Sequence, residues 1–535
     1  MNIYYLYNTD TRDSSCSAGL DYTPSYIEAI IEYMGITADK ISREDLHLIE
    51  ANDILIVGAE RIDTLPCCNI ILLGSYIGSD AEPSYREEKI FAEYIKDGIT
   101  PLPLFVPIKK PFFEGEILSY AKTNDELFPA LIKCGKIYEF TFDLAASVWF
   151  SEDGFVSDEG SDYFFIGRTP DTRPIKSGEY SLPYNDILIG ELEGILYGIG
   201  ASAIYRLPPD ENRKSPDLLI SFSGDDDCTS KEYNLEAALT MEGFGFPYHI
   251  NAMPERGERF VMTRDELINI ASHNCEIALH TNFTDGVCYS KDSVMAQVEL
   301  FKECFGYHPY TNTNHCFIQG GSTAERMRWF YSCGILADNG KLGEFDPSDI
   351  NAFDLCGFGF GTSFPRMTCD DSQHLNVLIK SLEIPINYYE PRLYTDHSDT
   401  SKIVSYIDSA AENARIAQFF IHPHYLEYSS RDREAVLRVL SLIQKTLTEK
   451  DYSALFTSVN RITDFWLSRM ASSVKDLGDR IEIDARCELF VVINRDTTGL
   501  VLLDSQPCDV IEKNVSGKRL SLVFVPSGEH TVTFG

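Results

Sequence analysis

Carboxylates and histidines are the residues of this chain whose types and spacing indicate chemistry. Residues 218–227 form an apolar run that ends in three adjacent aspartates, Asp225, Asp226 and Asp227. An apolar run of this length predicts a buried strand. Three carboxylates at its end repel one another unless a bound cation, or solvent at the mouth of a cleft, offsets their charge. Taken alone, the cluster is as typical of a solvated Asp-rich turn as of a metal site.

Histidines follow at the ends of later predicted strands. His280 ends the run Glu-Ile-Ala-Leu-His, His315 lies in a strand-to-helix turn, and His422 and His424 follow Phe-Phe-Ile. A single histidine of this kind is more often structural. Four of them at successive strand ends, with the aspartates on the first strand, point instead to a metal site with an open position for catalysis.

The elements that must position these residues alternate between strand and helix over residues 217–470. This alternation predicts a (β/α) barrel with some irregular units, in which catalytic groups gather at the carboxyl ends of the strands. The Thr263 and Glu266 pair predicts a capping box at the start of one helix. The predicted strands lie at 248–252, 276–279, 418–421 and 454–457, and the predicted helices at 231–241, 263–271, 293–305, 322–331, 402–416, 431–447 and 461–470.

Two further domains flank the predicted barrel. Residues 1–206 also alternate strand and helix, with helices at 25–34 and 84–96 and further strands or a connecting piece within 138–170, which predicts a three-layer α/β domain of flavodoxin-like or amidotransferase-like outline. A proline-marked polar linker follows at 207–216. Residues 474–535 carry short alternating strands and predict a small β-sandwich-like domain.

Composition limits the partners and the compartment. The chain has 535 residues and a net charge of −36, which argues against nucleic acid because phosphate binding needs clustered Lys and Arg. Its 14 cysteines show no Cys-x-x-Cys spacing, no signal peptide is recognisable at the start, and no apolar run approaches the roughly 18–20 residues of a membrane span. A cytoplasmic protein with reduced thiols is expected, and its oligomeric state is left open.

In the order of its motifs, residues 217–470 resemble the polysaccharide deacetylases, carbohydrate esterase family 4 with the NodB homology domain. The family runs Thr-Phe-Asp-Asp-Gly, His-Ser/Thr-x-x-His, Arg-x-Pro-Tyr and a strand ending Leu-x-His. Here Ile-Ser-Phe-Ser-Gly-Asp-Asp-Asp stands first, Cys-Glu-Ile-Ala-Leu-His-Thr second, Asn-His-Cys-Phe-Ile-Gln-Gly-Gly third and Phe-Ile-His last. The resemblance implies a (β/α) barrel of deacetylase type. It also implies a metal-dependent hydrolase that removes an acyl group, with N-acetyl as the favoured group, from a carbohydrate or a related amide.

The chain departs from the family pattern at three places. A Ser-Gly pair precedes the aspartates, so the base and metal ligand are Asp225 with Asp226, or Asp225 with Asp227. The second histidine of the second motif is Thr284, for which His424 is a substitute ligand, because His422 and His424 point the same way in an extended segment, and Asp285 is a weaker one. The arginine of the third motif is missing, with Asn314 or His315 nearest.

Carried over to these positions, the resemblance implies the following roles. A divalent metal, zinc first and Co, Ni, Mn or Fe as alternatives, is held by Asp226 or Asp227 with His280 and His424. Asp225 is the base toward the attacking water, His422 protonates the leaving amine, and His315 orients Asp225. Two other readings stay open: a catalytically inactive carbohydrate-binding or scaffold protein, and a metal-dependent glycosyltransferase.

Overall fold

The computed structural model describes residues 1–77, 92–96, 101–123, 126–153, 182–227, 229–284, 286–318, 323–343, 354–358, 360–371, 373–391, 400–495 and 499–535. In these residues the chain forms one large mixed sheet near its start, a curled parallel sheet in the middle and two small antiparallel sheets at its end. None of the helices found there has both the length and the apolar character needed to cross a membrane.

The first part of the chain contains a nine-stranded sheet with a parallel half and an antiparallel half. β2, β1, β3, β5 and β11 run parallel, and β10, β9, β7 and β8 continue the sheet antiparallel. The elements are β1 Ile3–Leu6, α1 Thr9–Ser17, α2 Pro24–Met34, β2 Asp39–Ile41, β3 Ile54–Val57, β4 Arg61–Ile62, β5 Asn69–Leu73, β6 Tyr76–Ile77, β7 Ala92–Ile95, β8 Leu102–Leu104, β9 Glu116–Thr123, β10 Glu126–Cys134, β11 Ile137–Phe140, α3 Leu144–Asp153 and α4 Tyr184–Ile199.

Two sequence-based predictions for this part are wrong in part. The predicted helix at 84–96 ends in a strand, because β7 pairs with β9 and buries Tyr94 completely; residues 84–91 lie outside the described part. The sequence predicts added strands or a connecting piece for residues 138–170: β11 supplies a strand up to Phe140, but helix α3, with its apolar residues buried all round, follows from Leu144, and residues 154–170 are again not described. Tertiary burial overrides local pattern in both segments.

The middle of the chain forms a parallel sheet that curls into a barrel. Seven strands run parallel in the order β22, β13, β14, β15, β16, β17 and β20, and β23 pairs with the first half of β13. The elements are β13 Leu218–Asp225, α5 Lys231–Gly243, β14 Tyr248–Ala252, α6 Arg264–Ala271, β15 Cys275–Thr281, α7 Lys291–Phe305, β16 Thr311–Asn314, α8 Thr323–Ser332, β17 Ala337–Leu342, β18 Leu355–Cys356, β19 Arg366–Cys369, β20 Leu378–Ile386, β21 Tyr388–Tyr389, α9 Ser401–Glu412, β22 Ile416–Phe420, α10 Arg433–Lys450, β23 Ala454–Thr457 and α11 Val459–Met470, after a short β12 at Ala203–Ile204.

A single chain segment brings the two edges of this sheet together. β20 pairs with β17, β21 pairs with β22, and only Asn387 separates β20 from β21. The sheet therefore returns to its starting edge. Its seven central strands run the same way, and only the short β18 and β19 pair antiparallel in the described residues, so the carboxyl ends of the parallel strands form one rim, as in a (β/α) barrel.

Side-chain alternation along β13 fixes which groups reach the inside of the barrel. Phe222 stacks on Phe246 and Phe419, with ring centroids 4.9 and 5.4 Å away, in the layer beneath the outer helices. Because successive side chains of a strand point to opposite faces, Ser223 and Asp225 point inward. The Ser223 hydroxyl lies 3.1 Å from Asn339 Oδ1 of β17, across the interior.

The end of the chain packs back on its beginning. Two sheets, in the orders β12-β26-β30-β29 and β24-β25-β31-β27-β28, share a hydrophobic core with α2, α4 and α11. Arg469 of α11 donates to the carbonyl oxygens of Tyr205 and Ile204, at 3.0 and 2.8 Å. The strands are β24 Ser473–Asp476, β25 Arg480–Ala485, β26 Leu489–Ile493, β27 Val501–Leu503, β28 Gln506–Pro507, β29 Val510–Val515, β30 Lys518–Val525 and β31 Gly528–Phe534.

Candidate active site at the barrel rim

Asp225 reaches the rim because the Ser-Gly pair before it belongs to strand β13. Ile421 N–H donates to the Ser223 carbonyl at 2.8 Å, which brings β22 close to β13. A Cβ at Gly224 would overlap the Ile421 carbonyl oxygen and the Tyr248 hydroxyl. Glycine is therefore required here by close approach rather than by a turn, and Asp225 is the last residue of the strand.

Asp227 lies at the centre of the site and has a left-handed backbone, with φ +45°. Three imidazoles direct Nε2 toward its carboxylate. His280 and His315 approach Oδ1 at 3.4 and 3.6 Å, and His422 approaches Oδ2 at 3.4 Å. The two oxygens of one carboxylate thus face two different sides.

His280 and His315 are each held through the other ring nitrogen. His280 Nδ1 lies 2.8 Å from the Thr313 carbonyl, which can only accept, so Nδ1 carries the proton. His315 Nδ1 lies 3.3 Å from Thr284 Oγ1, whose own hydroxyl donates to Asn282 Oδ1 at 2.7 Å. In its neutral form each ring therefore presents an Nε2 lone pair, which is the arrangement of metal-binding histidines with outer-shell partners, although burial of His280 is outweighed by Asp225 and Asp227, which raise its pKa.

His422 is held by a buried carboxylate that the sequence did not indicate. Glu390 accepts from the His422 backbone N–H at 3.1 Å, and its Oε1 forms a short contact with His422 Nδ1. Burial lowers the pKa of His422, but Glu390 and Asp227 raise it well above the ordinary value, so the ring holds a proton. One feature of the sequence could have indicated this carboxylate: Glu390 comes directly after the strands β20 and β21, just as the aspartates come at the end of β13.

Asp225 and Asp227 differ in electrostatic state: Asp225 is buried, whereas the Asp227 side chain is 32% exposed. Burial raises the pKa of Asp225 despite the nearby His280 and His422. One Asp225 oxygen accepts from Asn251 Nδ2 at 2.8 Å, and the other lies 3.3 Å from His280 Nε2. For Asp227, burial is outweighed by His422 and His280, which hold the pKa well below its usual range.

Asp226, a predicted metal ligand, points away from the histidines. Its oxygens accept from Met253 N–H at 2.9 Å and from Asn234 Nδ2 at 3.4 Å. It belongs to neither group of converging ligand atoms found at the rim in the described residues. The left-handed turn at Asp227 carries the third aspartate, and not the second, toward the histidines.

His424, the other predicted ligand, also lies outside both groups in the described part of the chain. The prediction assumed an extended segment from His422, whereas Pro423–Tyr425 forms a 3₁₀ turn. The His424 ring packs on Tyr425, with centroids 4.0 Å apart, and burial with His422 nearby lowers its pKa to about 4. Asn314 hydrogen-bonds to Thr281 and Ile318, and Asp285 lies outside the described residues.

The described residues bring a usable donor set together. Ligand atoms of Asp227, His280 and His315 lie within 4.8 Å of one another, as do those of Asp225, Asp227 and His422. Asp227 Oδ1 and His280 Nε2 are buried atoms, and neither has a hydrogen-bond partner within the described part of the chain. One carboxylate and two imidazoles fit zinc and related divalent ions. We call Asp225, Asp227, Glu390, His280, His315 and His422 together the mouth cluster.

No protein-family model and no curated protein matches the chain. The solved structures that are similar to part of it include three bacterial proteins. They are a proposed polysaccharide deacetylase from Mycobacterium smegmatis (14% identity, 49% of this chain, 94% of that chain, TM-score 0.33), a proposed glycoside hydrolase/deacetylase from Parabacteroides distasonis (7%, 57%, 89%, 0.33) and a family 4 acetyl xylan esterase from Clostridium thermocellum in complex with a cobalt ion (9%, 46%, 91%, 0.26). At these TM-scores the similarity carries no argument about activity, which must come from the residues themselves.

Proposed function

We propose that this chain is a metal-dependent hydrolase that removes an acyl group, N-acetyl first, from a carbohydrate or a related amide. The observation that carries the proposal is the mouth cluster. Three histidines whose Nδ1 atoms are already bonded direct Nε2 at one half-buried carboxylate, Asp227, beside a buried second carboxylate, Asp225. Asp227, His280 and His315 would hold the metal, with zinc the ion that best suits this donor set.

The bound metal would supply Lewis acidity toward the substrate carbonyl and lower the pKa of a water. Asp225 is placed to accept the proton of that water, because Asn251 fixes one of its oxygens and leaves the other facing His280. His422 holds the proton for the leaving amine, and Glu390 fixes its ring so that Nε2 faces the site. Both roles require only short proton transfers at the rim.

The proposed division of labour follows the chain. The deacetylase-type barrel, residues 217–470, would carry the chemistry, between a flavodoxin-like or amidotransferase-like domain at 1–206 and a β-sandwich-like domain at 474–535. A cytoplasmic location and an acetylated carbohydrate or small-molecule substrate belong to the same proposal. One observation favours a second candidate, an inactive carbohydrate-binding protein. The family motif has a histidine ligand at the position of Thr284, and threonine has no imidazole with which to bind the metal.

The test measures metal content and acetate release together. Purified full-length protein is expected to retain close to one equivalent of zinc and to release acetate from N-acetylated oligosaccharides. His280→Gln and His315→Gln should each lose the metal and the activity. The matched control is His374→Gln, which changes an exposed histidine in a separate Asp370, Asp371 and His374 group. Glycan binding without metal or acetate release would instead support the inactive candidate.

A further inference from the structure

The mouth cluster contains two overlapping ligand groups, not one. Asp227, His280 and His315 form the first, and Asp225, Asp227 and His422 form the second. The shared residue offers a different oxygen to each, since Oδ1 faces His280 and His315 while Oδ2 faces His422. A carboxylate that offers its two oxygens to opposite sides can bridge two ions, which lie about 3.5–4 Å apart in two-metal sites.

The second group is built as a ligand set and not as a solvated acidic patch. Asp225 is 3% exposed and His422 is 8% exposed. His280 Nε2, fully buried and without a hydrogen-bond partner, points to the same space at 3.3 Å from Asp225 Oδ2. Glu390 holds His422 from behind through Nδ1. A carboxylate on the far nitrogen of an imidazole is the usual support of a metal-binding histidine.

Charge also leaves room for a second cation. Asp225, Asp227 and Glu390 supply up to three negative charges, and among the described residues no Lys or Arg forms an ion pair with any of them. One divalent ion in the first group offsets two of these charges when the histidines are neutral. One negative charge then remains, and a second divalent ion would leave the cluster with a net charge of +1. The second ion should therefore bind more weakly than the first.

We propose that a second divalent cation binds Asp225, Asp227 Oδ2 and His422 and thereby inhibits the enzyme. This inference rests on the proposed function. The ion would occupy the oxygen with which Asp225 accepts the proton of water. It would also take the place of the proton on His422 Nε2, which leaves to solvent. Base and acid are lost in one binding event, and zinc or cobalt are the ions that suit one imidazole and two carboxylates.

In the first measurement, the metal-free full chain is titrated with Co²⁺, and bound metal is followed by calorimetry and by the visible spectrum. In the second, acetate release is measured as a function of the Zn²⁺ concentration. Activity should rise to one equivalent of Zn²⁺ and fall at higher concentrations, while Co²⁺ binds in a tight and then a weaker step. His422→Gln should keep the tight step and lose the weaker one. Glu390→Gln should weaken the second step by about 10–100-fold. His374→Gln should keep both steps, which excludes the Asp370, Asp371 and His374 group as their source.

Three results would overturn the second site. The first is metal binding that saturates at one equivalent, with activity unaffected by excess Zn²⁺. The second is a weaker binding step that is still present in His422→Gln. The third is a weaker binding step that is lost in His374→Gln. Each leaves the proposed hydrolase intact, whereas a chain that binds no metal and releases no acetate contradicts both proposals. If His422→Gln does not fold, as judged by circular dichroism, Asp225→Asn tests the same step, because the amide keeps the shape of the side chain and removes its charge.

Discussion

The barrel contains two clusters of buried charge that differ in the cations facing their carboxylates. In the mouth cluster, within the described residues, Asp225 and Asp227 face imidazoles alone. In the other, which we call the arginine cluster, Asp338 of β17 and Glu383 of β20 face Arg326 of α8, and all three are at most 1% exposed. Arg326 Nη2 lies 3.2 Å from Asp338 Oδ2 and also pairs with Glu383.

The difference separates a structural use of buried charge from a chemical one. A guanidinium stays protonated in proteins, and Lys341 Nζ lies 3.7 Å from Glu383 Oε2, so the two carboxylates of the arginine cluster are neutralised by cations of the fold itself. An imidazole can carry a proton or bind a metal, so the charge of the mouth cluster is offset by species that exchange with solvent. Removing a carboxylate should therefore affect chemistry at the mouth, and removing the cation should affect folding at the arginine cluster.

The largest expected effect is on activity, from Asp227→Asn. The amide keeps the volume of the side chain but removes the charge that the three Nε2 atoms face, so metal retention and acetate release should both fall, the latter by about 1,000-fold. The metal-free protein should unfold at a lower temperature, because His422 and His280 hold the pKa of Asp227 well below its usual range and the ionised carboxylate therefore stabilises the fold at neutral pH. Metal content at the level of the native protein in this variant would contradict the assignment of Asp227.

Arg326→Met is the converse experiment and should act on stability. It leaves Asp338 buried without its paired cation and Glu383, within the described chain, with only Lys341 Nζ, 3.7 Å from Oε2, and breaking a buried pair in this way typically costs about 3–5 kcal/mol. The free energy of unfolding, measured in urea, should fall by this amount while the metal content of the folded fraction stays unchanged. Arg328→Met is the matched control, because Arg328 is partly exposed and its pair with Asp370 is of a kind worth at most about 1 kcal/mol. Equal losses in the two variants would remove the contrast between buried and partly exposed pairs.

The sequence predicted those charged residues of the barrel that end apolar strands. β13, β15 and β22 are apolar runs ending in polar residues, so Asp225, His280 and His422 could be placed at strand ends. β16 and β17 read Thr-Asn-Thr-Asn and Ala-Asp-Asn-Gly-Lys-Leu, which carry no such signal because polar side chains fill the barrel interior. Asp338 and Glu383 were missed with β17 and β20, the strands that bear them, and Glu390 was missed with β21, which it follows.

Backbone geometry decided what remained ambiguous within the motifs. Three adjacent aspartates look equivalent in a sequence, but in the structure Asp225 and Asp227 face the histidines, the latter from a left-handed backbone, while Asp226 accepts from Met253 N–H. The spacing of His422 and His424 suggested a shared face, but Pro423 starts a turn between them. Neither feature has a periodic signature that could be read from residue types alone.

Glu390→Gln should have an intermediate effect, because it keeps an acceptor near His422 Nδ1 and removes the charge. Activity should fall by about 10–100-fold. Burial already lowers the pKa of His422 and Glu390 is the main opposing influence, so this pKa should fall. The acid must be protonated to work, so the alkaline loss of activity should move to lower pH. A pH–rate profile with an unchanged alkaline limb would show that His422 is not the proton donor.

Asp226→Asn should have the smallest effect, although it changes the direct neighbour of Asp227. Its oxygens accept from Met253 N–H and Asn234, and an amide oxygen can keep the stronger of these bonds. The free energy of unfolding should fall by about 1 kcal/mol, the scale of one weakened hydrogen bond, with metal content and acetate release close to those of the native protein. Loss of the metal in Asp226→Asn, with retention in Asp227→Asn, would reverse the order of the two aspartates and place the ligand on the second residue of the cluster.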